Sequence, residues 1–219
     1  MSASTELYKA SAAQAAADLV CDGQRVGLGT GTTVAHLLPA LAARELQSVR
    51  YTATSPATEH AARALGLVVL DLDELGPLDI AIDGADQIDP RGWLIKGGGA
   101  AQTREKIVAA AARRFVVIAS AEKTVEVLTP PVPVEILRFA ARTTLSAIAP
   151  AALREAPPSP DGNLIADYLG PVEDPERLAA LLADTPGIVE HGLFAPGLVS
   201  DILIAGVEGI EHRRGEKSA

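Results

Sequence analysis

The chain has 219 residues, a formal net charge of −9, 48% hydrophobic residues and only 3% aromatics. That is enough apolar material for one sizeable domain, with or without a small appendage, and it argues against a disordered chain. The acidic balance argues against a general nucleic-acid binder, so an anionic ligand must be drawn by a local site and not by the whole surface.

Cys21 is the single cysteine, which leaves no intrachain disulfide and fits a cytoplasmic location. The four histidines, His36, His60, His191 and His212, have no metal-ligand spacing, so no metal is expected. No apolar run approaches the roughly 20 residues of a membrane span. The first residues lack the charged-then-apolar pattern of a signal peptide. The polar end, 211–219, is expected to fray.

In chain order the pattern alternates. Residues 5 to 19 are expected to be helical, and 25–28 form a short apolar strand that runs into GLGTGTT. A helix is expected over 33–44 and a strand over 49–54. Ser55 is placed to cap a helix with Pro56 at its first position, ending near Leu65. Strands follow at 68–70 and 78–82, the second ending at DGADQID, and a strand at 93–95 runs into KGGG. A helix over 100–113 and a strand over 115–119 complete this part. Continuous apolar strands alternating with helices indicate an α/β fold, a mostly parallel sheet with helices on both faces in the Rossmann-like manner.

The character changes near Thr129. A short strand in TPPVPVEI is followed by an expected helix over 138–153 and by the turn-rich EAPPSPDGN. A strand at 164–168, a helix capped by Asp174 with Pro175 first, a strand at 187–194 and a last strand at 199–205 follow. The division expected is an α/β catalytic domain of residues 1–129 and 198–219, and a smaller α+β domain of 130–197.

Three glycine-bearing loops each follow a strand, and in open α/β sheets ligands bind beyond the carboxyl ends of strands. In GLGTGTT, Gly31 and the hydroxyls of Thr30, Thr32 and Thr33 stand at a helix start and suit a phosphate. Thr32 occupies the place of the last glycine of GxGxxG, so the dinucleotide pattern fails, and there is no Walker lysine. An ordinary strand-to-helix turn explains the same residues.

In DGADQID, Asp83 and Asp86 flank Gly84 and Ala85, and two carboxylates so spaced suit the hydroxyls of a polyol. Aspartates also favour such turns for their own backbone hydrogen bonds. In IKGGGAAQTREKIV, Lys96 and the amides of Gly97, Gly98 and Gly99 offer an oxyanion site, with Glu105 as a general base. A flexible turn before a solvated helix is the bland alternative. Lys123, just past the 115–119 strand, suits phosphate as a point charge, although most such lysines are simply solvated. Lys9 in the first helix carries a weaker signal of the same kind.

Together GLGTGTT, DGADQID, IKGGGAAQTREKIV, PVPVEI, DGNLIAD and GIVEHGLF resemble, in order, the type A ribose-5-phosphate isomerase family. The resemblance implies interconversion of ribose 5-phosphate and ribulose 5-phosphate with no metal or cofactor. It implies Glu105 as proton-transferring base and the 30–33, 83–86 and 96–99 loops around substrate, with Lys123 joining the threonines at the phosphate. It further implies a small-molecule sugar phosphate as ligand and a homodimer or higher homo-oligomer, while charge and hydropathy lead to the expectation of no nucleic acid and no membrane as partner. Which aspartate assists ring opening stays open. The chain departs from the pattern at Thr32, Gln87, Gln102 (usually leucine) and Ser120, and it is shorter between 148 and 163. Two rival readings are a non-catalytic sugar-phosphate sensor of related fold and a nucleotide-dependent oxidoreductase; the failed GxGxxG weakens the second.

Overall fold

The computed structural model of the chain describes residues 3–217. In chain order its elements are α1 (Ala3–Ala17), β1 (Arg25–Leu28), α2 (Thr32–Ala42), β2 (Arg50–Ala53), α3 (Pro56–Ala64), α4 (Leu72–Leu75), β3 (Leu78–Gly84), β4 (Gln87–Ile88), β5 (Leu94–Ile95), α5 (Gln102–Ala111), β6 (Ala112–Ser120), β7 (Val132–Ile136), α6 (Ala141–Ala147), β8 (Ala151–Leu153), β9 (Leu164–Tyr168), α7 (Pro175–Asp184), β10 (Ile188–His191), β11 (Leu193–Phe194), β12 (Asp201–Gly206) and β13 (Gly209–Arg214).

The chain forms two compact units. The first comprises residues up to Ala85, Arg104–Lys123 and residues from Pro196 onward; the second comprises Asp86–Thr103 and Thr124–Ala195. The division expected from sequence places 86–103 and 124–129 in the α/β domain. They group with the second unit because β4 and β5 hydrogen-bond to each other and β5 to β11, and because the Val125 N–H donates to Ile88 O.

The first unit holds a six-stranded sheet in the order β13-β12-β6-β3-β1-β2. All neighbours are parallel except β12 and β13. Val26, Leu28, Ile80, Ile82, Val116 and Ile118 form its buried centre, covered by the alanine face of α1 and by Val34, Leu37 and Leu41 of α2. The small Ala12, Ala13, Ala16 and Ala17 side chains leave no volume for anything larger against the core. Ser55 caps α3 by accepting from Thr58 N, with Pro56 at the first position, as its sequence indicates.

The second unit holds an antiparallel sheet in the order β10-β7-β9-β8 and a three-stranded sheet in the order β11-β5-β4. Its core gathers Val132, Val134, Ile136, Ala166, Leu178, Leu182 and Leu193. Asp174 caps α7 through Arg177 N with Pro175 first in the helix.

Four local expectations are corrected. The helix expected over 138–153 is the short α6 followed by strand β8, because Pro150 has no N–H to continue a helix and disfavours helical geometry before it. The strand expected over 187–194 breaks at Gly192 into β10 and β11. The polar end expected to fray from 211 instead supplies most of β13, an edge strand paired antiparallel with β12; residues 218 and 219 lie outside the described residues. The strand expected over 68–70 is only a bridge between Tyr51 and Val69. No helix among the described residues is long and apolar enough to cross a membrane.

Candidate active site

In the first unit the strands β1, β3 and β6 are parallel neighbours, so the loops after them open at one edge of the sheet. Those loops carry the threonines, Asp83 with Gly84 and Ala85, and Lys123. Gly29 lies so close to Asp83 that a Cβ there would sit 1.9 Å from Asp83 Cγ. Only glycine permits this approach, and it brings Thr30 N within 3.1 Å of Asp83 Oδ1, which also accepts from Gly84 N at 2.7 Å. Thr30 Oγ1 pairs with Thr54 Oγ1 at 2.7 Å.

Gly31 follows at φ 127° and caps α2 without a side-chain hydrogen bond. A β-carbon added at Gly31 would meet nothing within 4 Å. Thr32 is exposed and Thr33 half-exposed at the positive end of an eleven-residue helix, whose first N–H groups have no partner within the helix. This is the physical requirement for a phosphate seat. Lys123, half-buried, ends the single helical turn that follows β6.

Glu105 occupies the first turn of α5 and is 3% exposed. α5 lies directly on β1 because Gly27 has no side chain; a Cβ there would come within 2.4 Å of Val108 Cγ1. The glycine of β1 thus decides where the helix bearing the candidate base can lie.

In the second unit Lys96 leaves β5 with 3% exposure and its Nζ 5.4 Å from the centre of the Phe194 ring. Its N–H donates to Gly192 O at 2.8 Å. A Cβ at Gly192 would stand 2.1 Å from Lys96 O, so this glycine lets the two chain segments meet and breaks the strand. After Lys96 the chain turns. Gly97 has φ 102°, Ala100 has φ 60°, and Ala100 N donates to Gly97 O. A non-glycine residue in the left-handed region is held there against an intrinsic preference, which is a mark of functional loops. Asp86 Oδ2 accepts from Gly98 N at 2.8 Å.

The two aspartates of DGAD thus do different work. Asp83 organises the threonine loop and Asp86 the glycine loop. Buried Glu135 of β7 accepts from Thr103 Oγ1, from Ser159 Oγ at 2.6 Å and from Asn163 Nδ2 at 2.8 Å. These contacts explain why PVPVEI and DGN occur together. Sequence reasoning singles out neither Glu135, Phe194 nor Arg154. GLF hints at Phe194, whereas Arg154 lies just past a stretch that reads as helix.

The first unit is thus an α/β fold whose loops present backbone amides, hydroxyls and a lysine, the equipment for holding an anionic ligand, with a buried carboxylate in the first turn of α5. The sequence model for ribose 5-phosphate isomerase A (phosphoriboisomerase A) matches residues 50–209. The ribose-5-phosphate isomerase A of Roseiflexus castenholzii is 45% identical over 220 aligned positions, 93% of this chain and 94% of that protein. The solved ribose 5-phosphate isomerase A of Methanocaldococcus jannaschii is 34% identical with a TM-score of 0.91, covering 96% of this chain and 100% of that one. A D-ribose-5-phosphate isomerase solved with phospho-erythronic acid is 30% identical, also with a TM-score of 0.91, covering 96% and 99%. The chain belongs to the ribose-5-phosphate isomerase A family.

Proposed function

We propose that this chain interconverts D-ribose 5-phosphate and D-ribulose 5-phosphate through an enediolate, with Glu105 as the proton-transferring base. Family membership carries the reaction; the buried carboxylate of Glu105 in the first turn of α5 carries the assignment of the base. The enzyme is an aldose–ketose isomerase. The reaction is an internal redox exchange between C1 and C2 of one molecule, so it consumes no external oxidant or reductant. The sensor reading is not favoured, since the relatives matched along nearly the whole chain are isomerases.

In this reading the phosphate sits at Thr30, Gly31, Thr32 and Thr33 with Lys123 beside them, and Gly84 and Ala85 line the sugar. Asp83 or Asp86 moves protons as the ring opens, off O1 and onto the ring oxygen O4 as the C1–O4 bond breaks. Glu105 then takes the C2 proton. The C–H electron pair becomes the C1–C2 double bond, and the carbonyl pair moves onto O1. Lys96 and the amides of Gly97 and Gly99 stabilise that charge, the Gly98 amide being held by Asp86. Return of the proton to C1, with the C1–C2 double-bond pair forming the new C–H bond, and transfer of the O2 proton to O1 complete the ketose. A water-poor setting strengthens each of these electrostatic contacts, and the burial of Lys96 and Glu105 supports it.

Formation of ribulose 5-phosphate from ribose 5-phosphate, with EDTA present and no nucleotide added, tests the reading. Turnover is expected; its absence overturns the assignment. A cytoplasmic homodimer or larger homo-oligomer belongs to the same reading, and sedimentation velocity on the purified chain tests the assembly.

A further inference from the structure

We propose that Arg154 is a positioning residue for this isomerisation. It holds the carbonyls of Gly97 and Gly98 and so sets the Gly98 amide onto Asp86 and fixes the direction of the Gly99 amide, an oxyanion donor that remains. The inference rests on the glycine loop being the oxyanion site.

Arg154 follows strand β8, and its side chain is 20% exposed. Nη1 donates to Gly97 O at 2.9 Å and to Gly98 O at 3.4 Å. The other edge of the same guanidinium is engaged by Asp167, with Nε donating to Oδ2 at 3.0 Å and Nη2 to Oδ1. Asp167 lies in β9, in register with Pro133 of β7 and Ala152 of β8. The guanidinium is therefore mounted on the middle of a sheet, and its planar fork leaves one edge aimed at the loop.

A trans peptide is planar, so the carbonyl of one residue and the N–H of the next point in opposite directions. Drawing the Gly97 carbonyl toward Arg154 sends the Gly98 N–H the other way, and there it meets Asp86 Oδ2. By the same geometry, drawing the Gly98 carbonyl toward Arg154 turns the Gly99 N–H away from the guanidinium. Consecutive glycines have no side chains to choose these orientations for themselves. Gly97 is buried, but Gly98 and Gly99 are exposed, so packing does not choose the peptide between those two. The turn bond from Ala100 N to Gly97 O restrains one carbonyl locally. Arg154 restrains both from 57 and 56 positions away. An ion pair with Asp167 alone needs no contact with the loop.

The test compares wild type, Arg154→Ala, Arg154→Lys and Asp167→Asn for kcat, KM and folding by circular dichroism. Arg154→Ala is expected to lower kcat about 10- to 100-fold, less than outright loss of an oxyanion donor, with KM within about threefold. Arg154→Lys, which cannot serve Asp167 and two carbonyls together, falls between. Added methylguanidinium is expected to restore part of the Arg154→Ala kcat and none of that lost in Glu105→Gln. Unchanged kcat, or a rise confined to KM, in a folded Arg154→Ala overturns the proposal. If that variant does not fold, Asp167→Asn carries the test, with the same kcat-selective loss expected and unchanged kcat overturning it. A wild-type chain without isomerase activity, or a fully active Glu105→Gln, overturns the reading beneath the proposal; an active wild type with dead Glu105→Gln and normal Arg154 variants overturns the proposal alone.

Discussion

Asp83 Oδ1 accepts from the backbone N–H of Thr30 across 53 positions of sequence, and from the N–H of its own neighbour Gly84. One carboxylate oxygen thereby ties the end of β3 to the candidate phosphate loop. Asparagine keeps a carbonyl oxygen at that place, whereas alanine keeps nothing. Asp83→Ala is expected to raise KM for ribose 5-phosphate at least about tenfold, the loss of one or two charge-assisted hydrogen bonds. Asp83→Asn is expected to keep KM near normal. If its kcat also stays near normal, Asp83 is not the group that opens the ring, and Asp86 becomes the candidate. Steady-state kinetics on both variants decides.

Glu105→Gln preserves the shape of the buried side chain in α5 and removes its basicity. Turnover is expected to fall by at least about 10³-fold, within the range for losing general-base catalysis. Binding of ribose 5-phosphate to this variant, measured by calorimetry, is expected to survive. Near-normal turnover sinks the assignment.

Lys96→Ala removes a charge held over the Phe194 ring. If the charge acts on the enediolate, kcat falls by about 10²–10³ while KM changes little. A rise in KM with kcat intact would make Lys96 a ground-state binding residue.

Gln102 is 0% exposed, and among the described residues its Oε1 and Nε2 find no hydrogen-bond partner. An unsatisfied buried polar group costs about 1–3 kcal/mol. Gln102→Leu replaces the amide with an apolar side chain of similar size and is expected to raise the melting temperature by several degrees. A lower melting temperature would show that the amide is satisfied in solution.

Asp201 joins β12 to its neighbours on both sides. Burial pushes its carboxyl pKa up, but hydrogen bonds from Arg114 at 2.6 Å and with His212 at 2.6 Å outweigh burial and hold it below the usual value. A carboxyl depressed in the folded state stabilises the fold above its unfolded pKa of about 3.9, and the contribution is lost as pH falls through the folded value. Urea unfolding is expected to show a steeper loss of stability as the pH falls below the unfolded carboxyl pKa of about 3.9 in wild type than in Asp201→Asn. Equal slopes would remove Asp201 from the acid response.

Much of the fold is legible in the sequence. The caps at Ser55 and Asp174 lie within three residues of the N–H groups that they serve, so local sequence contains both partners. Strand β1 and the loop after it are readable for the same reason, as is the fold class from alternating apolar strands and helices. β8 and β13 escape such a reading because each depends on a distant neighbour. β8 is three residues recruited by β9, and β13 is a polar edge strand paired with β12. Periodicity records which face is buried, and these strands bury little.

The residues of the candidate site, the loops that carry them and, through the order of those loops, the family are all written in the linear chain. There Asp83 and Asp86 stand as a pair. Folding separates their work, giving one to Thr30 and the other to Gly98. It also brings Arg154 to the glycine carbonyls and Gly192 against Lys96. Glycine backbone has no orientation of its own, and the groups that orient it come from strands brought alongside by sheet pairing, information that no local stretch of sequence holds.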